Sequence, residues 1–138
     1  MSEAHETGMR TRRAVLGDEH VDRAVERTTA FTAPFQDFIT RTAWGDVWQR
    51  PDLDRRTRSC VTIALMTALR CEGELAMHVR AAVRAGLSPA EIAEVILHTA
   101  VYVGVPSANI AFGVAQRTLA ELGVDEALRP PDGDGAGG

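Results

Sequence analysis

Glu74 and His78 stand four residues apart in Cys71-Glu72-Gly73-Glu74-Leu75-Ala76-Met77-His78. A helix through that stretch sets a carboxylate and an imidazole on one face, a turn apart. A second imidazole, His98, opens the run His98-Thr99-Ala100-Val101-Tyr102-Val103-Gly104-Val105-Pro106-Ser107-Ala108-Asn109. Acid/base chemistry near neutral pH wants a histidine whose proton affinity and tautomer are set by a neighbour. These two segments are where the chain most resembles an enzyme.

The elements that must position them read as helices throughout. The chain is 45% hydrophobic but only 5% aromatic, with alanine and valine dominating, which favours close-packed helices over a β-sandwich. At 138 residues it is expected to be one domain. Residues 1–9 are polar and read as a flexible N-terminus, 10–128 as the helical domain, and 129–138, rich in Gly, Pro and Asp, as a disordered tail. A first helix is expected over about 18–40, from Val21, Ala24, Val25, Thr28, Phe31 and Phe35, with Pro34 kinking or splitting it. Asp54 caps a helix reaching about Arg70 that is apolar nearly all round. Another spans about 74–85 and stops at Gly86. Ser88-Pro89-Ala90-Glu91 is a capping box opening a helix that Gly104 and Pro106 end, and a last helix runs from about Ser107 to Leu122. A helix apolar on all sides in so small a domain needs more cover than its own neighbours supply, so a symmetric homo-oligomer is expected.

Charge and cysteine content narrow the function classes. The net charge is −4, and all 15 basic residues are arginines. Arginine grips carboxylates through a planar fork, which suits small dianions. The acidic balance argues against nucleic acid. The longest apolar run, 60–69, carries Thr62 and Thr67 and is too short to span a bilayer, and the polar opening lacks a signal peptide's apolar stretch, so a cytoplasmic protein with no membrane partner is expected. Cys60 and Cys71 on one helix would lie about 16 Å apart, beyond the roughly 7 Å a disulfide spans. Both read as inert packing. Cys71, Glu74, His78 and His98 include metal-ligating types, but their spacing fits no dedicated zinc motif, and no metal site is assigned.

Several segments, in order along the chain, carry a resemblance: Arg12-Arg13-Ala14-Val15-Leu16-Gly17, Phe35-Gln36-Asp37-Phe38-Ile39-Thr40-Arg41, Trp44-Gly45-Asp46-Val47-Trp48 with Arg50-Pro51, Thr57-Arg58-Ser59, Glu74-Leu75 with His78-Val79-Arg80, Val101-Tyr102 with Gly104-Val105-Pro106, Ala108-Asn109 and Ala111-Phe112. With these the chain resembles the carboxymuconolactone decarboxylase family of the alkylhydroperoxidase-D-like superfamily, over nearly all of residues 8–121. The resemblance implies an all-α bundle of about six helices. It further implies a ring-like homo-oligomer, hexamer or trimer, and no cofactor. The implied reaction is decarboxylation of 4-carboxymuconolactone to 3-oxoadipate enol-lactone in protocatechuate breakdown. Hydroperoxidase members carry Cys-x-x-Cys followed by a histidine. Here Cys71 holds the first position and Glu74 the second, as in decarboxylase members, so the resolving thiol pair is absent. The chain departs locally at Cys71-Glu72-Gly73, less polar than expected before the glutamate, and at Val103, where a cysteine is common. These departures bear on the substrate.

The implied substrate is an unsaturated five-membered lactone with a carboxylate and an acetate arm on the carbon next to the ring oxygen. Loss of carbon dioxide leaves an electron pair that the double bond relays to the lactone carbonyl, so the substrate is its own electron sink. The protein must hold the acetate, stabilise charge on the lactone oxygen and deliver a proton to carbon. On this reading His78 is the proton donor, with Glu74 orienting it and favouring its charged form, though Glu74 itself stays open as the donor. Arg58 and then Arg56 are the candidates for the carboxylate, and His98, Tyr102 and Asn109 for the lactone oxygen. Trp44, Trp48 or Val105 would form an apolar wall against the leaving carboxylate. Three other readings stay open: a related cofactor-free decarboxylase or isomerase of another small cyclic acid, a thiol peroxidase-like protein using Cys71, and a non-catalytic binder of acidic metabolites.

Overall fold

Asp54 accepts a hydrogen bond from the Thr57 amide (2.8 Å), and the capping box at Ser88 and Glu91 closes in both directions, so two of the central helices start where side chains satisfy their first free amides. The computed structural model describes residues 2–132. Among them the chain forms seven α-helices and no strand: α1 (Glu3–Leu16), α2 (Asp18–Glu26), α3 (Ala33–Ile39), α4 (Arg55–Leu69), α5 (Glu72–Arg84), α6 (Pro89–Val103) and α7 (Val105–Glu121). A π turn over Thr40–Trp44 extends α3, marked by the Gly45 amide donating back to the Thr40 carbonyl at 2.8 Å. Short 3₁₀ turns occupy Val47–Gln49 and Asp125–Leu128.

The all-helical expectation holds, with two differences in layout. Residues 3–9, read as loose, form the first half of α1, capped by Ser2 accepting from the His5 amide at 3.2 Å. Their polarity hides the helix, because its buried stripe is built from Gly8, Thr11, Arg12, Val15 and Leu16 rather than from large apolar residues. Of the two outcomes expected at Pro34, the helix over 18–40 is split and not kinked, because Pro34 stands in the first turn of α3 and opens it. Likewise Pro106 lies in the first turn of α7, so Gly104 alone separates α6 from α7. Residues 133–138, part of the expected tail, lie outside the described residues, while 129–132 carry no regular structure.

Two apolar clusters share α5. The larger gathers α4 to α7 around Ile63, Leu75, Val79, Ile92, Ile96, Ala111 and Leu119. The smaller joins α1 and α2 to the π turn and to α5 through Val15, Leu16, Val21, Trp44 and Ala81. α1 crosses the π turn backbone to backbone. A Cβ on Gly8 would lie 1.9 Å from the Thr40 carbonyl oxygen, and one on Gly45 would lie 2.5 Å from that of Ala4, so both crossings require glycine. Arg70 ends α4 in the left-handed region (φ 56°) and donates from Nε to Ser107 Oγ at 3.0 Å, tying α4 to α7.

α4 is not covered on all sides within one chain: Val61, Leu65 and Leu69, spaced one turn apart, are each about half exposed or more. Val101, Tyr102 and Val105 are exposed by 74% or more. Both cysteines are free thiols. Among the described residues no helix is long and apolar enough to cross a membrane, and no three His, Cys, Asp or Glu side chains gather as a metal site would require.

Candidate active site

A cavity of about 700 Å³ opens along the seam between the two clusters. Its walls come from α1 (Arg12, Leu16), α2 (His20, Ala24), the turn and helix that follow (Arg27, Thr28, Thr32, Phe35, Gln36, Ile39), the π turn (Ala43, Trp44), Trp48, Thr62 of α4 and the first two turns of α5 (Gly73, Glu74, Met77, His78). Its size fits a small organic acid.

His78 is 6% exposed and lies where the two faces of α5 meet, between Val79 of the larger cluster and Met77 of the smaller. Its ring stacks on that of Trp48, centroids 6.0 Å apart and planes 15° apart, and Trp48 in turn leans on Trp44 at 5.1 Å. Its Nδ1 is buried, with no hydrogen-bond partner among the described residues. Burial, and after it the neighbouring His20, pushes the His78 pKa down to about 4. The imidazole is therefore neutral at pH 7. This corrects the expectation that Glu74 holds it charged. Glu74 does share the cavity, but it is exposed, and among the described residues no hydrogen bond or ion pair joins it to His78. The field of Glu74 falls instead on Arg12 and His20.

Arg12 is the other buried polar group in the wall, at 6% exposure. Its guanidinium donates to Gln36 Oε1 (3.2 Å) and more weakly to Thr40 Oγ1 (3.5 Å), while its Nε is buried with no partner among the described residues. Thr40 is itself pinned, donating to the Gln36 carbonyl at 2.7 Å. Burial pulls the Arg12 pKa below its ordinary value, and Glu74 opposes this. His20, half-buried, is also lowered, first by burial, then by Arg12 and Arg23, against Glu74, with Arg80 adding to the lowering. Arg27, exposed, completes the wall. Two guanidinium groups and two imidazoles thus face a single lining carboxylate, and the cavity favours an anion.

Of the residues singled out from sequence, His78, Glu74, Trp44 and Trp48 come together here. The others do not join them within one chain. Arg56 donates to the Gly86 carbonyl (2.8 Å) and to Glu91 (2.6 Å), fastening α4 to the α5–α6 turn. Arg58 donates to the Arg50 carbonyl (3.2 Å) and lines a small depression that shares Trp48 and Thr62 with the cavity. His98 and Tyr102 pair ring to ring at 5.4 Å on the exposed face of α6, and Asn109 is exposed on α7. Arg12, His20, Arg27 and Gln36 were missed. For Arg12 and His20 the signal was a four-residue period: Arg12, Leu16, His20, Ala24 and Thr28 all line the cavity, the series running on through the break at Gly17.

A family model described as the carboxymuconolactone decarboxylase family matches residues 33–117. The chain is 45% identical over 120 residues to a 4-carboxymuconolactone decarboxylase of Acinetobacter baylyi, covering 87% of this chain and 90% of that protein. It is 44% identical over 115 residues to a nitrosuccinic acid decarboxylase of Metarhizium robertsii, covering 83% and 80%. A 4-carboxymuconolactone decarboxylase of Pseudomonas putida is 55% identical over 42 residues, which is 30% of this chain and 88% of that sequence.

Proposed function

The chain belongs to the carboxymuconolactone decarboxylase family, and on that footing we propose that it is a 4-carboxymuconolactone decarboxylase, a carboxy-lyase that releases carbon dioxide to give 3-oxoadipate enol-lactone. The observation that carries this reading is the anion-favouring cavity closed around His78 in a chain 45% identical to a named enzyme of that activity over most of both lengths.

The chemistry follows from the substrate and from the wall. Breaking the bond between the ring carbon and the carboxylate sends its electron pair through the ring double bond to the lactone oxygen, giving an oxyfuran anion. Protonation at the carbon beside the carbonyl completes the enol-lactone. The reaction consumes one proton, which His78 supplies. Neutral on its own at pH 7, its ring gains proton affinity when a dianion settles beside it, as any imidazole does near negative charge. His78 thus arms as an acid only when there is something to protonate. Glu74, one turn away, keeps a carboxylate at the wall that moderates the positive field of Arg12. Trp48 and Trp44 keep water from the imidazole.

The exposed rows Val61–Leu65–Leu69 and Val101–Tyr102–Val105 support a homo-oligomer, hexamer or trimer, in which copies of the chain cover one another. The two free thiols fit a reducing, cytoplasmic setting.

A second reading is favoured by the 44% identity to a nitrosuccinic acid decarboxylase, since nitrosuccinic acid likewise carries its own electron sink, a nitro group on the carbon that loses the carboxylate, and keeps a second carboxylate. Mixing the protein with each acid in deuterated water and following the products by NMR separates the two. The proposal expects the lactone to yield enol-lactone deuterated beside the carbonyl. A lactone left unchanged while nitrosuccinic acid loses carbon dioxide would replace it.

A further inference from the structure

Arg12 is a buried guanidinium with no anion within ion-pair distance among the described residues, whereas Arg13, Arg23, Arg41, Arg56 and Arg80 each hold a carboxylate nearer the surface. Burying a charge without its counter-charge is strongly unfavourable. The two groups that Arg12 does touch, the Gln36 amide oxygen and the Thr40 hydroxyl, are neutral. They fix the direction of the fork without neutralising it, Nε has no partner among the described residues, and Arg12 lines the cavity. An arginine held this way is a preformed half of a salt bridge.

We propose that Arg12 seats the carboxylate that remains on the substrate, the acetate arm, and that the carboxylate lost as carbon dioxide lies away from it. The assignment rests on the decarboxylase reading above and deepens it. The two carboxylates differ in what happens to their charge. The leaving group surrenders its negative charge to the ring as its bond breaks, so a guanidinium on it would stabilise the ground state more than the transition state and slow the reaction. The acetate keeps its charge throughout, so a guanidinium there binds both states equally and orients the ring at no expense in rate. A third place for Arg12, against the lactone oxygen, would have the opposite signature, because that oxygen gains charge in the transition state.

The test uses three unreactive ligands built on the ring-saturated lactone, which lacks the conjugated electron sink: the diacid, the acid whose acetate arm is amidated, and the acid whose ring carboxylate is amidated. Calorimetry with the unaltered protein is expected to show the diacid binding about 10- to 100-fold more tightly than the acetamide, the range of a charge-assisted pair, and within about threefold of the ring amide. In Arg12→Gln the preference for the free acetate should shrink to about threefold, with Arg12→Lys keeping part of it. In turnover of the conjugated lactone, Arg12→Gln should raise KM by about 10- to 100-fold and leave kcat within a few-fold. Equal binding of diacid and acetamide to the unaltered protein overturns the seat, as does a greater loss on amidating the ring carboxylate. A fall in kcat at constant KM moves Arg12 to the lactone oxygen and overturns it too. The calorimetric arm involves no catalysis and, in the unaltered protein, no substitution. If Arg12→Gln fails to fold, that arm still decides. A protein that binds the acids in the expected order but turns over no lactone would sink the decarboxylase reading and leave the seat standing.

Discussion

His78 and Trp48 face each other ring on ring, planes 15° apart and centroids 6.0 Å apart, so the indole is the lid on the imidazole. Burial is the leading cause of the low proton affinity of His78, and Trp48 covers one face of the ring. Trp48→Leu is expected to let water reach the ring and raise the His78 pKa from about 4 by roughly one unit, read from the imidazole proton shifts in an NMR titration. An unchanged titration would mean that the depression comes from the helix side.

The same depressed pKa ties folding to pH. The neutral ring is favoured in the folded chain, so the unfolded chain binds more protons between its ordinary pKa of 6.5 and the folded value of about 4. Stability is complete above pH 6.5, falls as pH drops through that window, and levels off below it. The loss attributable to His78 is at most about 3 kcal/mol, and His20, shifted the same way, adds to it. Chemical denaturation at pH 7, 5.5 and 4 checks this. His78→Phe should flatten the profile, and a slope as steep as that of the unaltered protein would assign the dependence elsewhere.

A ring that charges only beside the dianion separates two kinetic profiles. kcat/KM reports the free protein, where His78 resists protonation, and kcat reports the complex, where the substrate's charges favour it. The alkaline fall of kcat should therefore lie at higher pH than that of kcat/KM. Mixing with the unreactive diacid at pH 7 in weakly buffered indicator should show proton uptake that His78→Gln abolishes. The same variant should lose about 10²–10⁴-fold in kcat. Coincident profiles and no uptake would remove His78 as the acid.

Where α1 crosses the π turn there is no room for a methyl group, since a Cβ on Gly8 would meet the Thr40 carbonyl carbon at 2.8 Å as well as its oxygen. Backbone cannot swing aside as a side chain can. Gly8→Ala is expected to destabilise the fold by about 2–4 kcal/mol, seen in thermal or denaturant unfolding, and to weaken diacid binding, because Thr40 is one of the supports of Arg12. A variant of ordinary stability would show that the crossing is looser than its geometry.

The helices that could be read from sequence are those whose ends are marked by side-chain chemistry and whose cores are large and apolar: Asp54 opening α4, the Ser88–Glu91 box opening α6, and Ile92, Ile96 and Leu119 inside. The pair Glu74 and His78 was legible because four-residue spacing survives any helix. α1 was not, since Gly8, Thr11 and Arg12 bury themselves against backbone and polar partners that no hydropathy pattern anticipates. Arg58 and Arg56 drew notice by standing at the head of an apolar helix, yet tertiary structure engages both with backbone carbonyls. The electrostatic partner of His78 was misjudged for the same reason: sequence spacing brings Glu74 near, but only the fold brings His20 across from α2.

α5 belongs to both apolar clusters, and two polar groups that line the cavity stand on different helices: His78 on α5, Arg12 on α1. The smaller cluster is five buried residues, one of them an alanine, and it is what holds α1 and α2 down. Parting the molecule there would widen the cavity and draw the anchoring cation away from the proton donor while α4 to α7 stay packed. Loosening at that seam is therefore felt in the spacing of those two groups before it is felt in the packing of α4 to α7.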